Sequence, residues 1–252
     1  AEEGGGGGNE MVKEGMMERF DIERVFGMHN IPQLPSGMFA IRTGPIMAAT
    51  AEFKVTVHGT GGHAAMPHRS ADPIVAASAM VTGLQSIVSR NTNPVDSMVI
   101  SVTQFHAGEA YNVIPDHAEI AGTVRWLKPE IGEIAEKRMR EMLESLALAY
   151  GVTIDFLFDS NYPVTFNHAD ETEFAIGVAQ QIAGEKNVLT DIDPTMGGED
   201  FSYMLNARPG AFIFLGNGDT AGLHNAAYDF NDEIIPVGIS YWVKLAETAL
   251  AR

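Results

Sequence analysis

The stretch Phe53-Lys54-Val55-Thr56-Val57-His58, running into Gly59-Thr60-Gly61-Gly62-His63-Ala64-Ala65-Met66-Pro67-His68, decides how this chain is organised. Phe53, Val55 and Val57 alternate with Lys54, Thr56 and His58, the period of a strand with one buried face. Outward from it, Asp72 to Arg90 reads as a helix, with Pro73 in the first turn and Ile74, Ala77, Val81, Leu84 and Val88 as a stripe. Strands follow at Met98 to His106 and at Ala118 to Trp126. A second helix runs from Pro129 to Tyr150, with Ile131, Ile134, Met142, Leu143 and Leu146 on its apolar side, and a strand through Val152, Ile154, Phe156 and Phe158 closes the segment. The order is βαββαβ. Each strand offers one apolar and one more polar face, so both helices are expected on one side of a four-stranded antiparallel sheet, a ferredoxin-like module over residues 51–162.

The flanking segments have α/β character. Asn9 to Phe20 is a helical pattern with Met11, Met16, Met17 and Phe20 on one side, and Arg24 to Gly27 a short strand ending in Met28-His29-Asn30, which puts His29 at a strand end. Ligands collect at such ends in α/β sheets, although a single His there is also a common structural residue. After Tyr162 come a helix from Ala169 to Gly184, the turn Asp193-Pro194-Thr195-Met196-Gly197-Gly198-Glu199-Asp200 leading into Phe201, and a buried strand from Ala211 to Leu215. Leu223-His224-Asn225 then repeats the earlier His-Asn pair, and a helix from Pro236 directs Tyr241, Trp242, Leu245 and Ala249 inward.

The 252 residues are 45% hydrophobic, enough for one large domain or two smaller ones. Sixteen basic residues against thirty-three acidic ones leave a formal charge of −17 with no basic cluster, which argues against a nucleic-acid partner. Without Cys, any metal must rest on His, Asp and Glu. No apolar run approaches a bilayer span and no positively charged leader precedes one, so no membrane partner is expected; composition leaves the compartment open, and a cytoplasmic location is the expectation.

Three places look chemical. Glu2 and Glu3, followed by glycines from Gly4 to Gly8, suit a site where one acid holds a metal and its neighbour takes a proton from water; a mobile acidic terminus has the same composition. The glycines of Gly59 to Gly62 let backbone and imidazole approach a ligand, or simply make a tight turn. The connection Ala107 to Asp116 is longer than a hairpin needs, and Asn112 in it is placed either to donate to a substrate carbonyl or to brace its own loop.

Glu2-Glu3-Gly4, Gly27-Met28-His29-Asn30, Gly61 to His68, Asn112-Val113-Ile114-Pro115-Asp116, Gly122-Thr123-Val124-Arg125, Met196-Gly197-Gly198-Glu199-Asp200-Phe201 and Leu223-His224-Asn225 together resemble, in this order, the M20 metallopeptidases. The likeness is greatest to their amidohydrolase branch of hippurate hydrolases and N-acyl-amino-acid deacylases. The resemblance implies a zinc-peptidase-like catalytic α/β domain, partial here, over residues 1–50 and 163–252, interrupted by a lid and dimerisation domain at 51–162. It implies Glu2 as general base, Glu3, His29 and His224 as metal ligands, His63 as the lid imidazole assisting at the scissile carbonyl, Asn112 and Arg125 beside the substrate, and Glu199 behind a ligand. Arg125 has an alternative partner in Glu119 on its own sheet face. Two divalent ions per complete subunit (Zn, Mn, Ni or Co), a small N-acyl amino acid substrate and a homodimer through the lid are further implications. A dipeptidase or exopeptidase would use the same residues, and a non-catalytic dimerisation or binding fragment is the rival from another class. His58, His106, His117 and His168 match no motif and are expected to be surface or structural. Such enzymes carry an N-terminal part of the catalytic domain ahead of the paired glutamates, with a Cys or Asp, one residue, His ligand pair. The chain therefore reads as a C-terminal portion, not expected to be fully active alone, with only Ala51 to Tyr162 expected to fold reliably by itself and the remainder to be under-packed.

Overall fold

The computed structural model describes residues 6–250. In chain order the elements are α1 (Gly7–Lys13), α2 (Met16–Arg19), β1 (Val25–Pro32), β2 (Phe39–Ala40), β3 (Gly44–Met47), β4 (Ala49–His58), β5 (Gly62–His63), α3 (Pro73–Asn91), β6 (Met98–Ala107), β7 (Val113–Ile114) and β8 (His117–Trp126). There follow α4 (Pro129–Tyr150), β9 (Thr153–Tyr162), β10 (Thr165–Asn167), α5 (Ala169–Ala183), β11 (Val188–Leu189), α6 (Phe201–Ala207), β12 (Gly210–Gly218) and α7 (Ile235–Ala249). They form two compact units, one of Ala1–Met47, Thr165–Thr195 and Glu199–Arg252, the other of Ala48–Val164 with Met196–Gly198.

The second unit is the βαββαβ module. Its sheet runs in the order β6-β8-β4-β9 with every pair antiparallel. Phe53, Val55 and Val57 of β4 and Ala118, Ile120 and Val124 of β8 all face the core shared with α3 and α4. Asp72 starts α3 by accepting the Ile74 and Val75 amides on Oδ1 at 2.9 and 3.3 Å, with Pro73 in the first turn where no amide partner is needed. The buried face of α3 centres on Ala76, Ala77, Met80, Leu84 and Ile87, with Val81 and Val88 at its margin, a small rotation from the expected stripe. On α4, Ile131, Ala135, Met139, Leu143 and Ala147 point inward while Ile134 is exposed. The two helices meet at Gly83, where a Cβ would stand 2.8 Å from the Met142 sulfur.

The first unit is a three-layer α/β/α arrangement on the mixed sheet β1-β12-β2-β11. Alternation along β12 sends Ala211, Ile213 and Leu215 to a core with α5 and α7, and Phe212 and Phe214 to a core with α2 and α6. These segments thus build packed cores of their own, where only the inserted module was expected to be well packed. The expected helix from Asn9 to Phe20 is two short ones, because Gly15 at φ 79° breaks it. β1 is longer than expected, since its parallel partner β12 continues to Gly218. On α7, Tyr241 is buried, but Trp242 is 38% exposed. Adjacent helix positions lie about 100° apart, so one of the pair must turn out.

Leu84 is fully buried at the centre of the α3 contact with the sheet. Leu84→Ala is expected to lower stability by about 2–5 kcal/mol, measured by chemical denaturation; a change near zero would mean that α3 does not pack as described.

Candidate functional site

In the first unit, the alternation that points Phe26 and Met28 toward α5 and α7 turns Val25, Gly27, His29 and Ile31 to the other face, that of α2 and α6. Gly27 keeps that face flat: a Cβ there would lie 2.6 Å from the Phe212 ring and 3.0 Å from the Phe201 ring. His29 is part-buried in the ladder, opposite Phe214, with its Nδ1 2.5 Å from the Asn30 carbonyl oxygen. A carbonyl only accepts, so Nδ1 carries a proton, and in the neutral ring Nε2 keeps its lone pair. That tautomer fits a metal ligand oriented through its other nitrogen.

His224 lies in the exposed loop after β12 with φ at 61°, uncommon for a residue with a side chain. Side chains brace that loop. Asn225 Oδ1 accepts the Ala227 amide at 2.9 Å, and its carbonyl accepts the Tyr228 amide at 2.9 Å. Asn217, 1% exposed, donates to the Asp229 carbonyl and accepts the Asn231 amide, both at 2.9 Å. The Tyr228 hydroxyl donates to Asn30 Oδ1, next to His29.

Glu199 is 8% exposed and serves the start of α6, Oε1 accepting the Phe201 amide at 3.2 Å and its carbonyl accepting the Ser202 hydroxyl at 2.6 Å. Asp200, which sequence reasoning did not single out, accepts the Gly8 amide at 2.7 Å. A Cβ on Gly8 would come within 2.9 Å of the Asp200 carbonyl oxygen, so bare backbone at Gly8 is what lets α1 seat against α6. The candidate base Glu2 and candidate ligand Glu3 lie outside the described residues. Among the described residues, no three His, Asp or Glu side chains are placed to hold a metal ion together. His29 and His224 are the described members of the candidate ligand set.

In the second unit, the two loops that looked chemical form one ribbon. β5 pairs with β7, Gly62 opposite Ile114 and His63 opposite Val113, and the Ala64 amide donates to the Asn112 carbonyl at 3.0 Å. His63 and Asn112 are thereby brought together, both exposed. The Ala65 amide donates to His63 Nδ1 at 3.1 Å, so in the neutral ring Nε2 carries the proton and is a donor. Arg125 does not pair with Glu119. Its Nη1 donates to the Met196 carbonyl at 2.7 Å, while Glu119 bonds Lys54 at 2.9 Å and is held below its ordinary pKa by that ammonium. Of the remaining histidines, His58 and His117 bond Asp155 and Asp116 at 2.8 Å, and the His168 ring accepts the Gly210 amide at 3.1 Å.

An α/β/α unit with an imidazole near the end of a parallel strand, its chain interrupted by a split-βαβ module carrying a second imidazole on a glycine-rich ribbon, defines a two-domain α/β class. Within it, the chain belongs to peptidase family M20/M25/M40, which it matches over residues 1–248. It is 39% identical over 246 residues to a hippurate hydrolase of Campylobacter jejuni, covering 98% of this chain and 64% of that protein. It is 35% identical over 250 residues to an N-acetylcysteine deacetylase of Bacillus subtilis, covering 99% and 64%. Among solved structures it resembles the Bacillus subtilis YXEP protein, a dinuclear metal binding peptidase from the M20 family, with a TM-score of 0.81 at 29% identity over 99% of this chain and 63% of that one. The chain thus spans somewhat less than two thirds of the length of these relatives.

The ribbon makes unequal demands on its glycines. A Cβ on Gly61 would stand 2.7 Å from the Ile114 carbonyl oxygen, a backbone atom, whereas one on Gly62 would meet only the Ser70 hydroxyl, at 2.5 Å, which a rotamer change removes. Gly61→Ala is therefore expected to open the β5–β7 pair and speed hydrogen exchange at the Ala64 amide, and Gly62→Ala to leave it nearly unchanged. Equal exchange rates in the two variants would contradict this geometry.

Proposed function

We propose that this protein is a metal-dependent amidohydrolase that cleaves the amide bond of N-acyl amino acids, aromatic or aliphatic, in the manner of a hippurate hydrolase. The observation that carries the reading is the His29 ring, whose Nδ1–H is spent on the Asn30 carbonyl, so that in its neutral form it presents the Nε2 lone pair to a cation. Its similarity to a hippurate hydrolase and an N-acetylcysteine deacetylase supports the substrate class, and its similarity to a dinuclear metal binding peptidase supports two divalent ions, of Zn, Mn, Ni or Co. Assembly as a homodimer through the inserted unit and a cytoplasmic location belong to the same proposal.

Divalent ions, when bound, polarise the scissile carbonyl and make water a stronger acid. His29, His224 and Glu3 are the residues that would hold them. Glu2 takes the proton from water as it attacks and returns it to the leaving amine, so one carboxylate serves both halves of the reaction. His63 donates its Nε2–H to the oxygen on which negative charge develops, a contact that typically contributes about 100- to 1,000-fold. Asn112 binds the substrate. Arg125 has committed Nη1 to the Met196 carbonyl, which leaves its other N–H groups for a carboxylate.

Hydrolysis of hippurate is expected to stop on chelation, to return with Mn²⁺ or Zn²⁺, and to exceed hydrolysis of a dipeptide. Glu2→Gln should lower kcat by about 100- to 10,000-fold while leaving metal uptake intact. An undiminished kcat would remove Glu2 from the mechanism, and faster cleavage of dipeptides would replace the deacylase reading with a peptidase one.

A further inference from the structure

We propose that Tyr228 is a positioning residue of the candidate metal centre, tying the loop that carries His224 to the strand that carries His29. The inference rests on the metal-dependent reading above. Asn30 is the shared post. Its carbonyl accepts the His29 Nδ1–H and its side-chain oxygen accepts the Tyr228 hydroxyl, so one residue receives a bond from each side of the centre. The two donors are 199 residues apart in the chain, since His29 and Tyr228 sit on β1 and on the loop after β12.

The bond falls where the backbone ladder weakens. β1 pairs regularly with β12 through Ile31↔Gly216, but the register shifts between Ile31 and Pro32, so Asn30 is close to the last regular position. The loop, for its part, has no regular structure from Asp219 to Asn231. Its far side is pinned by Asn217 to Asp229 and Asn231, while the bonds made by Asn225 are internal to it. Tyr228 adds the link from the His224 turn to β1. Burial first, and the neighbouring Asp229 second, push the phenol above its ordinary pKa, which keeps the hydroxyl a donor near neutral pH.

The test uses the full chain stripped of metal and titrated with Co²⁺, following affinity and the visible absorption that reports coordination. Tyr228→Phe deletes only the hydroxyl. It is expected to weaken Co²⁺ binding by about 10- to 100-fold and to alter the spectrum, with the thermal midpoint near that of the parent. Asn30→Leu should do the same, and the double variant should be no worse than either, since both remove one bond. Binding and spectrum identical to the parent would overturn the proposal. A second readout needs no metal: in the parent the His29 ring should hold a single Nδ1–H tautomer by ¹H–¹⁵N NMR, and in Tyr228→Phe it should mix tautomers while the Asn225 to Tyr228 amides exchange faster. An unchanged ring and unchanged exchange would overturn it equally. A parent chain that takes up no Co²⁺ would refute the metal reading, and the ring signals would then decide the positioning role alone.

Discussion

The parallel pairing of β1 with β12 is the constraint on which the first unit depends. It joins Val25 to Gly210 and holds register through six further pairs to Ile31 and Gly216, before a shift that pairs Pro32 with Gly218. β12 is nearly all buried and reads as one continuous apolar run, the pattern of a strand covered on both faces. Two of its glycines are required by close backbone contacts. A Cβ on Gly210 would come within 2.0 Å of the Val25 carbonyl oxygen, and one on Gly216 within 2.1 Å of the Pro35 carbonyl oxygen. Neither distance is tolerable for a carbon atom, so the neighbouring backbone would have to move. Asn167, fully buried, adds a side-chain clasp to the same strand: Oδ1 accepts the Phe212 amide at 2.6 Å, and Nδ2 donates to the Phe212 and Arg42 carbonyls at 2.9 Å. Such a residue satisfies its own polar atoms while fixing strand position, and its loss would strand several backbone groups.

The segment Met196-Gly197-Gly198-Glu199-Asp200 reads in sequence as one motif, yet its two halves do different work. Met196 to Gly198 belong to the inserted unit, where the Gly197 carbonyl accepts the Ala48 amide at 2.8 Å and Arg125 holds the Met196 carbonyl. Gly198 is bare because a Cβ would lie 2.6 Å from the Thr50 methyl and 3.1 Å from the Tyr162 ring. Glu199 and Asp200 belong to the first unit and open α6. The adjacent glycines are thus explained by close packing as well as by any chemistry beside them. A guanidinium satisfying a carbonyl also gives Arg125 a structural reason to be where it is.

How much of this was legible in the sequence depended on whether the signal was local. The βαββαβ order was, because strands with one buried face announce themselves by alternation and the α3 cap by Asp72-Pro73. The helix break at Gly15 was missed because an isolated glycine is often tolerated in a helix, and here only its left-handed φ excludes that. Trp242 was placed inward because it is large and apolar, although Tyr241 beside it already held the inner position. Motif singled out His29, His63, Asn112 and His224 as candidates, but it gave no hint that the His63 and Asn112 loops pair, since a two-residue strand carries no period. Asn217 and Tyr228 had no signal a single sequence exposes, and Asp200 stood inside a quoted motif without a role of its own. Each matters through a bond to a residue far along the chain, to Asp229 and Asn231, to Asn30, and to Gly8.

The two candidate imidazoles show how the backbone sorts identical side chains into different roles. His29 and His63 each engage the main chain through Nδ1, but with opposite polarity: His29 donates to a carbonyl, and His63 accepts from an amide. Neutral imidazole has one proton to place, so a carbonyl partner leaves Nε2 basic and an amide partner leaves it a donor. The first suits a cation and the second a developing anion. In each case the partner lies within two residues of the His, on a backbone whose path is set by tertiary pairing, β1 against β12 for Asn30 and β5 against β7 for Ala65. The choice of tautomer in each neutral ring therefore follows from the fold, before any ligand arrives, and this is the sense in which a site can be preorganised by strands alone.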